Sequence, residues 1–286
     1  MHTPAIAELT LADDLTITRM GYGAMQLTGP GVFGPPADRA AAIAVLRAAI
    51  ELGIDHIDTS GFYGPVIVNE LIREALYPYP AGLRIATKVG VRRTATGGWT
   101  TALDPTDLVA QVHENLEHLG VESLDVVNLR AAAFEGDDTP IAEQFGALAA
   151  LREQGLIRHL GLSGVTDVQL TEAAAIAPVV MVQNLYNLAH RSDDDLVDRC
   201  ADEGIGYAAF FPLGGGGRLR SRTLNDVARR LDASPQRVAL AWLLQRSPSM
   251  VLIPGTSSIT HLRDNIAAAE LRLPSDVVAE IDAIGG

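Results

Sequence analysis

The stretch His56-Ile57-Asp58-Thr59-Ser60-Gly61-Phe62-Tyr63-Gly64 decides how the rest of the chain is read. It opens on a short apolar run of the kind that makes a buried strand, and a glycine-bounded loop follows. The next apolar run, Arg84-Ile85-Ala86-Thr87-Lys88-Val89-Gly90, repeats the pattern and carries a lysine near its end. Neighbouring parallel strands would set Asp58 and Lys88 side by side, with the Tyr63 hydroxyl next to the cation. A carboxylate, a lysine and a phenol in that relation make a proton donor, which reduction of a carbonyl requires.

Outward from this stretch the same strand–helix rhythm fills the chain. Residues Ala7 to Thr18 alternate in the two-residue period of half-buried strands around Ala12-Asp13-Asp14, which predicts a β-hairpin. Strands are then expected at Met20–Met25, His56–Thr59, Arg84–Val89, Ser123–Leu129, Ile157–Ser163, Val179–Asn184, Gly206–Phe211 and Met250–Ile253. Helical stripes separate them, beginning with Asp38–Leu52 and Val68–Leu76. Gly53, Gly120, Gly155 and Gly204 act as stops, and Asp104-Pro105 and Thr139-Pro140 as starts. The segment after Arg84–Val89 reads as a Gly-Gly-Trp loop.

Two helical pieces flank Ser234-Pro235 before the eighth strand, and Pro274-Ser275-Asp276 opens a last short helix. Eight strand–helix units with continuously apolar strands predict an α/β fold with a parallel sheet covered by helices, best a closed (β/α)8 TIM barrel. An open doubly wound sheet is the alternative, weakened by the lack of a Gly-x-Gly-x-x-Gly turn after the first strand. No linker divides the chain, so residues 1–286 are expected to form one domain.

Composition narrows the function classes. Of 286 residues 48% are apolar, and the formal net charge is −13. No Lys/Arg run exceeds two residues, so a nucleic-acid backbone would be repelled. A single cysteine, Cys200, excludes an intrachain disulfide and reads as a helix-packing thiol. The histidines lack metal-ligand spacing; His113 and His118 would diverge on one helix, and no metal is expected. Neither a signal peptide nor a membrane-spanning run is visible, and a soluble cytoplasmic protein is expected.

Barrel active sites lie at the C-terminal ends of the strands. Those ends carry Asp58 with Tyr63, then Lys88, Arg130, Ser163, Gln183 with Asn184, Phe210 with Phe211, and Gly255 with Thr256. With these pieces in order, the chain resembles the aldo-keto reductases over nearly its whole length. The resemblance rests on Gly21-Tyr22-Gly23-Ala24-Met25, Asp58-Thr59-Ser60-x-x-Tyr63-Gly64, Thr87-Lys88, Gly161-Leu162-Ser163 and Val182-Gln183-Asn184. It continues in Phe211-Pro212-Leu213-Gly214 and in Ile253-Pro254-Gly255-Thr256 with Asn265 beyond. The strings from Gly21 to Pro36 and Asp125-Val126-Val127-Asn128-Leu129-Arg130 are similar in particular to the bacterial pyridoxal-reducing branch.

The resemblance implies a catalytic set of Asp58, Tyr63 and Lys88, with Arg130 where the family has a histidine. A free tyrosine has a pKa of ~10, and a unit charge ~4 Å away contributes up to ~4 kcal/mol at an effective dielectric near 20. Lys88 would thus make Tyr63 a usable acid, and Asp58 would keep Lys88 charged and oriented. Arg130 stays protonated at working pH, so it would polarise the substrate oxygen or recognise a substrate phenolate rather than shuttle a proton. The plainer readings are a strand-tying ion pair for Asp58 and Lys88, and a structural ion pair for Arg130.

By the same resemblance NADP(H) is the cofactor. Ser163 and Gln183 would hold the nicotinamide carboxamide, although Gly164 stands where the family commonly has Asn. Phe210 would stack on the ring, and Gly23, Phe211, Leu213 and Gly214 would meet the pyrophosphate side through backbone groups. Gly255, Thr256, Ser257, His261 and Asn265 would take the adenosine 2′-phosphate and adenine at a helix N-terminus. Gly255 and His261 replace the family's usual cations there, and Arg263 is a further candidate. Met25, Phe62, Trp99 and Phe134 would line the substrate pocket.

The implied activity is NADPH-dependent reduction of an aldehyde to an alcohol, with pyridoxal to pyridoxine the best single substrate and a monomer the expected state. Two other readings stay open: an aldo-keto reductase for another carbonyl or an imine in secondary metabolism, and an NADP(H)-sensing binding subunit with little turnover.

Overall fold

In the computed structural model, residues 6–132, 136–215 and 221–284 are described. Strands β1 (Glu8–Ala12) and β2 (Leu15–Thr18) pair antiparallel as the expected hairpin. The barrel strands then follow as β3 (Tyr22–Gly23), β4 (His56–Asp58), β5 (Arg84–Val89), β8 (Leu124–Arg130), β9 (Ile157–Ser163), β10 (Val179–Leu185), β11 (Gly206–Phe210) and β12 (Met250–Leu252). All pair parallel in that order. Between β5 and β8 lies a second hairpin, β6 (Val91–Arg93) with β7 (Trp99–Thr101). The expected Gly-Gly-Trp loop is therefore a hairpin. The aromatic and β-branched run Trp99-Thr100-Thr101 after its Gly97-Gly98 turn carried that signal.

Closure is completed outside the named strands. Met20 bridges Leu252 in parallel, with Gly21 N–H donating to Leu252 O at 2.7 Å and Leu252 N–H to Arg19 O at 2.9 Å. Because β3 is short, this seam has few ladder bonds. The Arg19 guanidinium reinforces it, donating to Leu244 O at 2.7 Å and Met250 O at 3.0 Å. An open doubly wound sheet is excluded by this ring of pairs.

Helices α1 (Arg39–Glu51), α2 (Ile67–Leu76), α3 (Pro105–Leu119), α4 (Ala142–Glu153), α5 (Asp167–Ala174) and α6 (Asp194–Asp202) follow β3, β4, β5, β8, β9 and β10 in turn. Then α7 (Arg222–Arg230) and α8 (Pro235–Arg246) precede β12, and α9 (Ile259–Ala267) and α10 (Ser275–Asp282) follow it. Most of the predicted punctuation acts as expected, although α4 starts at Ala142, past Thr139-Pro140, with Ile141 at its N-cap. Asp38 caps α1 by accepting from Ala41 N–H, Asp104 caps α3, and Gly120 closes α3 in the left-handed region at φ 70°. Among the described residues no helix is long and apolar enough to cross a membrane.

Alternation along each strand divides the core in two. Outward residues such as Ile57, Val89, Val127, Leu160 and Val182 pack under the helices. Inward ones, Ala86, Val126, Met181, Ala208 and Val251, join Leu15 and Ile17 of the hairpin in a separate apolar plug. The hairpin thus stops the N-terminal mouth, leaving the C-terminal mouth to hold chemistry.

Candidate active site

The site is built by strand ends whose inward positions turn polar. Asp58 is the last residue of β4, and Lys88 lies one strand over on β5. Both are buried, 4% and 2% exposed, far below what unpaired charges tolerate. Their pairing resolves this: Lys88 Nζ donates to Asp58 Oδ1 at 2.5 Å and to Thr59 O at 3.0 Å. Gln183 of β10 donates its amide to the other carboxylate oxygen at 2.7 Å. Burial works against the Lys88 charge, but attraction to Asp58 and Tyr63 and hydrogen bonds to both outweigh it, holding the ammonium above its ordinary pKa.

Tyr63 reaches the same point from the loop after β4, with Lys88 Nζ 5.1 Å from its ring centroid. The loop is set by glycine: Gly64 has φ 102°, and a Cβ there would stand 2.5 Å from that of Ile67. Arg130 ends β8, half-buried on the cavity wall, its Cζ 5.5 Å from the Phe210 ring centroid. Burial pulls its pKa below the ordinary guanidinium value, and Tyr63 and Asp58 act in the other direction. The carboxylate, lysine, phenol and arginine of the sequence reading therefore share one place.

They open into a cavity of about 580 Å³. Its remaining walls come from predicted residues on different elements: Gly23 of β3 and Met25 after it, Phe62 beside Tyr63, Trp99 of β7, Gln183, Phe210 with Phe211 and Leu213, and Gly255. Phe62 meets the Tyr63 and Trp99 rings edge-on at 5.2 and 5.6 Å. Trp99 itself is 50% exposed at the rim. Val32 and Phe211 line the cavity at φ 56° and 51°, a conformation costly for residues with a Cβ and common around functional sites.

Other predicted residues stand back from this cavity. Ser163, opposite Gln183 in register, is fully buried. Gly214, with φ 82°, donates its N–H to Phe211 O. Thr256 is buried, accepting the Tyr22 hydroxyl on its carbonyl at 2.6 Å, and Asn265 is buried on α9. Ser257, His261 and Arg263 are exposed. At the start of α9 Ser258 forms the cap, its side chain accepting from His261 N–H. Phe134 lies outside the described residues.

Two groups of residues escaped the sequence reading. Arg93 ties the rim together: its Cζ sits 4.0 Å from the Trp99 ring centroid and 5.4 Å from that of Phe33. It also donates to Val32 O and Gly97 O, both at 2.6 Å. The hairpin pattern around Gly97-Gly98 was the available clue. Asn128, opposite Lys88 in register, buries an amide with neither end hydrogen-bonded. Gly161 makes room for it, since a Cβ there would lie 2.0 Å from its Oδ1. A polar residue in a run otherwise apolar was its only signal.

A dinucleotide of the expected kind can be tested against these atoms. Ser163 Oγ and Gln183 Oε1 are buried without hydrogen-bond partners on adjacent strands, which suits an amide donor. Gly23 and Gly255 hold the opposite wall in close backbone contact, a Cβ on Gly23 falling 2.3 Å from Ile253 O. The residues present fit a nicotinamide head.

Comparison with known proteins agrees with this geometry. The chain matches the aldo/keto reductase family over residues 19–285. It is 54% identical to pyridoxine 4-dehydrogenase of Escherichia coli (strain K12), across 94% of this chain and 95% of that one. The fold superposes on a thermostable aldo-keto reductase, Tm1743, solved with the inhibitor epalrestat, at a TM-score of 0.83, with 28% identity, 99% of this chain and all of that one covered. An aldo/keto reductase from Klebsiella pneumoniae, solved with NADP and acetate, shares the fold at a TM-score of 0.80, with 23% identity and 98% and 96% coverage. The chain belongs to the aldo/keto reductase family, and is an oxidoreductase of that family.

Proposed function

We propose that the protein reduces an aldehyde to an alcohol with NADPH as reductant, and that pyridoxal, reduced to pyridoxine, is its substrate. The observation that carries the reading is the Asp58–Lys88–Tyr63 constellation at the floor of a cavity of about 580 Å³, a volume that suits a small ligand. The substrate follows from the E. coli relative. A dehydrogenase acting on the 4-hydroxymethyl group of pyridoxine forms pyridoxal, and reduction is the same step reversed.

NADP(H) supplies the hydride when bound. Ser163 and Gln183 would hold its carboxamide, Phe210 would face its ring, and the backbone at Gly23, Leu213 and Gly214 would pass along its pyrophosphate. Gly255, Thr256, Ser257, His261 and Asn265 would meet the adenosine end. The Klebsiella neighbour solved with NADP supports the choice of cofactor.

The proton work falls to this chain's own groups. Tyr63 donates its hydroxyl proton to the carbonyl oxygen, and the Lys88 ammonium stabilises the charge left on the phenolic oxygen. Asp58 keeps Lys88 charged and aimed, and Gln183 holds the second carboxylate oxygen so that the pair does not turn. Arg130, a fixed cation on the wall, draws electron density toward the reacting oxygen. Met25, Phe62 and Trp99 form the apolar wall that excludes water from the reaction.

Mixing the purified protein with NADPH and pyridoxal, and following loss of cofactor absorbance beside a Tyr63→Phe variant, tests this reading. Turnover that disappears in the variant supports it. Binding of NADPH with no oxidation across an aldehyde panel would sink it and leave a nucleotide-sensing protein.

A further inference from the structure

On the helix side of the sheet, directly behind the charged pair, lies a second polar cluster. Thr59 follows Asp58 and Thr87 precedes Lys88, so both turn toward the helices rather than the cavity. The Thr87 hydroxyl donates to Asn115 Oδ1 of α3 at 2.6 Å, and the Thr59 hydroxyl to Asn69 Oδ1 of α2 at 2.8 Å. Asn69 donates its own amide to that same Asn115 oxygen at 2.8 Å, and Asn115 donates to Gln111 O at 2.7 Å. Gln111 Oε1 accepts the Gly90 N–H at 2.9 Å, just past the end of β5. All five side chains are buried.

Packing alone does not call for amides here. Both helices already bury apolar residues in the surrounding core, among them Leu71, Ile72, Leu108 and Val112. Apolar contact is non-directional and leaves the stagger of a strand loosely set. Hydrogen bonds hold distance and angle, and in a satisfied buried network a shift of one partner leaves another unpaired. The cluster grips the two strands at the residues that carry the charges. The Thr59 carbonyl accepts Lys88 Nζ at 3.0 Å, and the Ser60 hydroxyl beside it donates to Lys88 O at 3.2 Å. The loop leading to Tyr63 rests on the same amide, since a Cβ on Gly61 would stand 3.1 Å from Asn115 Nδ2.

We infer that Asn115, together with Asn69, is a positioning residue of the active site, fixing the end of β4 against β5 and so placing the Lys88 ammonium between Asp58 and Tyr63. Neither asparagine lines the cavity, and their effect passes through Thr59 and Thr87. A displacement of ~1 Å at reacting groups costs about 10²-fold in rate, so a device that sets the stagger acts on catalysis without touching the substrate. The kinetic consequence rests on the reductase reading; the placing of Lys88 does not.

Lys88 is the only lysine of the chain, so 15N-labelled protein gives a single lysine ammonium signal. Exchange of its protons with water reports the hold on that group without turnover. Asn115→Ala should speed this exchange at least about tenfold, the scale of one hydrogen bond to a charged group, beyond any change at the Val126 backbone amide. Val126, buried in the apolar plug, reports opening of the fold as a whole. Asn69→Ala should act in the same direction and carries the test if the Asn115 variant misfolds. In pyridoxal reduction, Asn115→Ala and Thr87→Val should lower kcat per NADPH-binding site at least about tenfold, with the Kd for NADPH unchanged. Thr87→Ser, which keeps the hydroxyl, should restore most of the rate. Lys88 exchange that rises only in step with Val126, or an activity loss that tracks the number of binding sites, would make the cluster mere packing and overturn the inference. If the unaltered protein reduces no aldehyde, the reductase reading fails, and the exchange rates still decide what holds Lys88.

Discussion

At the N-terminal mouth of the barrel, Leu15 and Ile17 of the hairpin press on Ala86, Val126, Val180 and Val251, an apolar plug. At the other mouth, barely one layer of side chains away, the same strands supply Asp58, Lys88, Arg130, Ser163 and Gln183, and some polar atoms there have no partner. The strand ladder carries both. On β5 the inward side changes from Ala86 to Lys88, and on β8 from Val126 to Asn128 and then Arg130. Apolar burial at one end thus supports charge burial at the other. The first closes the barrel at a favourable free energy, and the second spends some of it to hold groups ready for a substrate.

The largest effect should come from breaking the charged end. Lys88→Met leaves Asp58 buried with only the Gln183 amide, and should cost about 3–5 kcal/mol of stability as well as abolishing pyridoxal reduction. Urea unfolding and NADPH oxidation, measured on one preparation, check both halves; an active variant would remove Lys88 from the mechanism. Tyr63→Phe separates the two losses. It should lower kcat by about 10²–10⁴ while the unfolding midpoint stays where it was.

Breaking the apolar end should do the reverse. Leu15 is 1% exposed, and Leu15→Ala should cost about 2–5 kcal/mol. Its kcat well below the melting temperature should match that of the parent. A fall in kcat as large as the Tyr63→Phe effect would mean that the plug and the site are not separable.

Alkali should distinguish the ends more gently. The Lys88 pKa is raised in the fold, so the native state prefers the protonated form. That contribution is complete below the ordinary lysine value of 10.5 and is lost as pH rises through the higher folded value. A melting temperature followed upward from neutral pH should therefore show no loss traceable to Lys88 until above 10.5, and Lys88→Met should lack that alkaline step. The smallest effect concerns Cys200, fully buried on the inner face of α6 with burial pushing its thiol up to about 12. A thiol reagent should label it only after denaturant is added.

Much of the fold was legible because its cues are local. Arg84–Val89 and Ile157–Ser163 read as strands with the bounds they have, since nearly every residue in both runs is buried and Arg158 alone is exposed. Asp104-Pro105 and Gly120 bounded α3 because a cap depends on a few neighbouring residues. The site was legible in part for the same reason. Asp58 and Tyr63 share one turn, and Lys88 lies on the next strand. Arg130 could be placed at a strand end, although not aimed. The hairpin at β6 and β7 was lost because its Gly-Gly turn reads equally as a loop, and with it went Arg93 and the clamp on Trp99.

By itself the sequence determined the alternation of strand and helix, the number of units, and which chemistries stand at strand ends. Periodicity, capping and glycine conformations act over a few residues and need no partner. Closure belonged to the tertiary structure, where Arg19 and Met20 reach Leu252 across the whole chain. So did the Gln183 grip on Asp58, between residues 125 positions apart, and the turn of Arg130 toward Tyr63 and Phe210. Such contacts depend on how the strands stagger as the sheet closes on itself, a property of the whole barrel that no single segment contains.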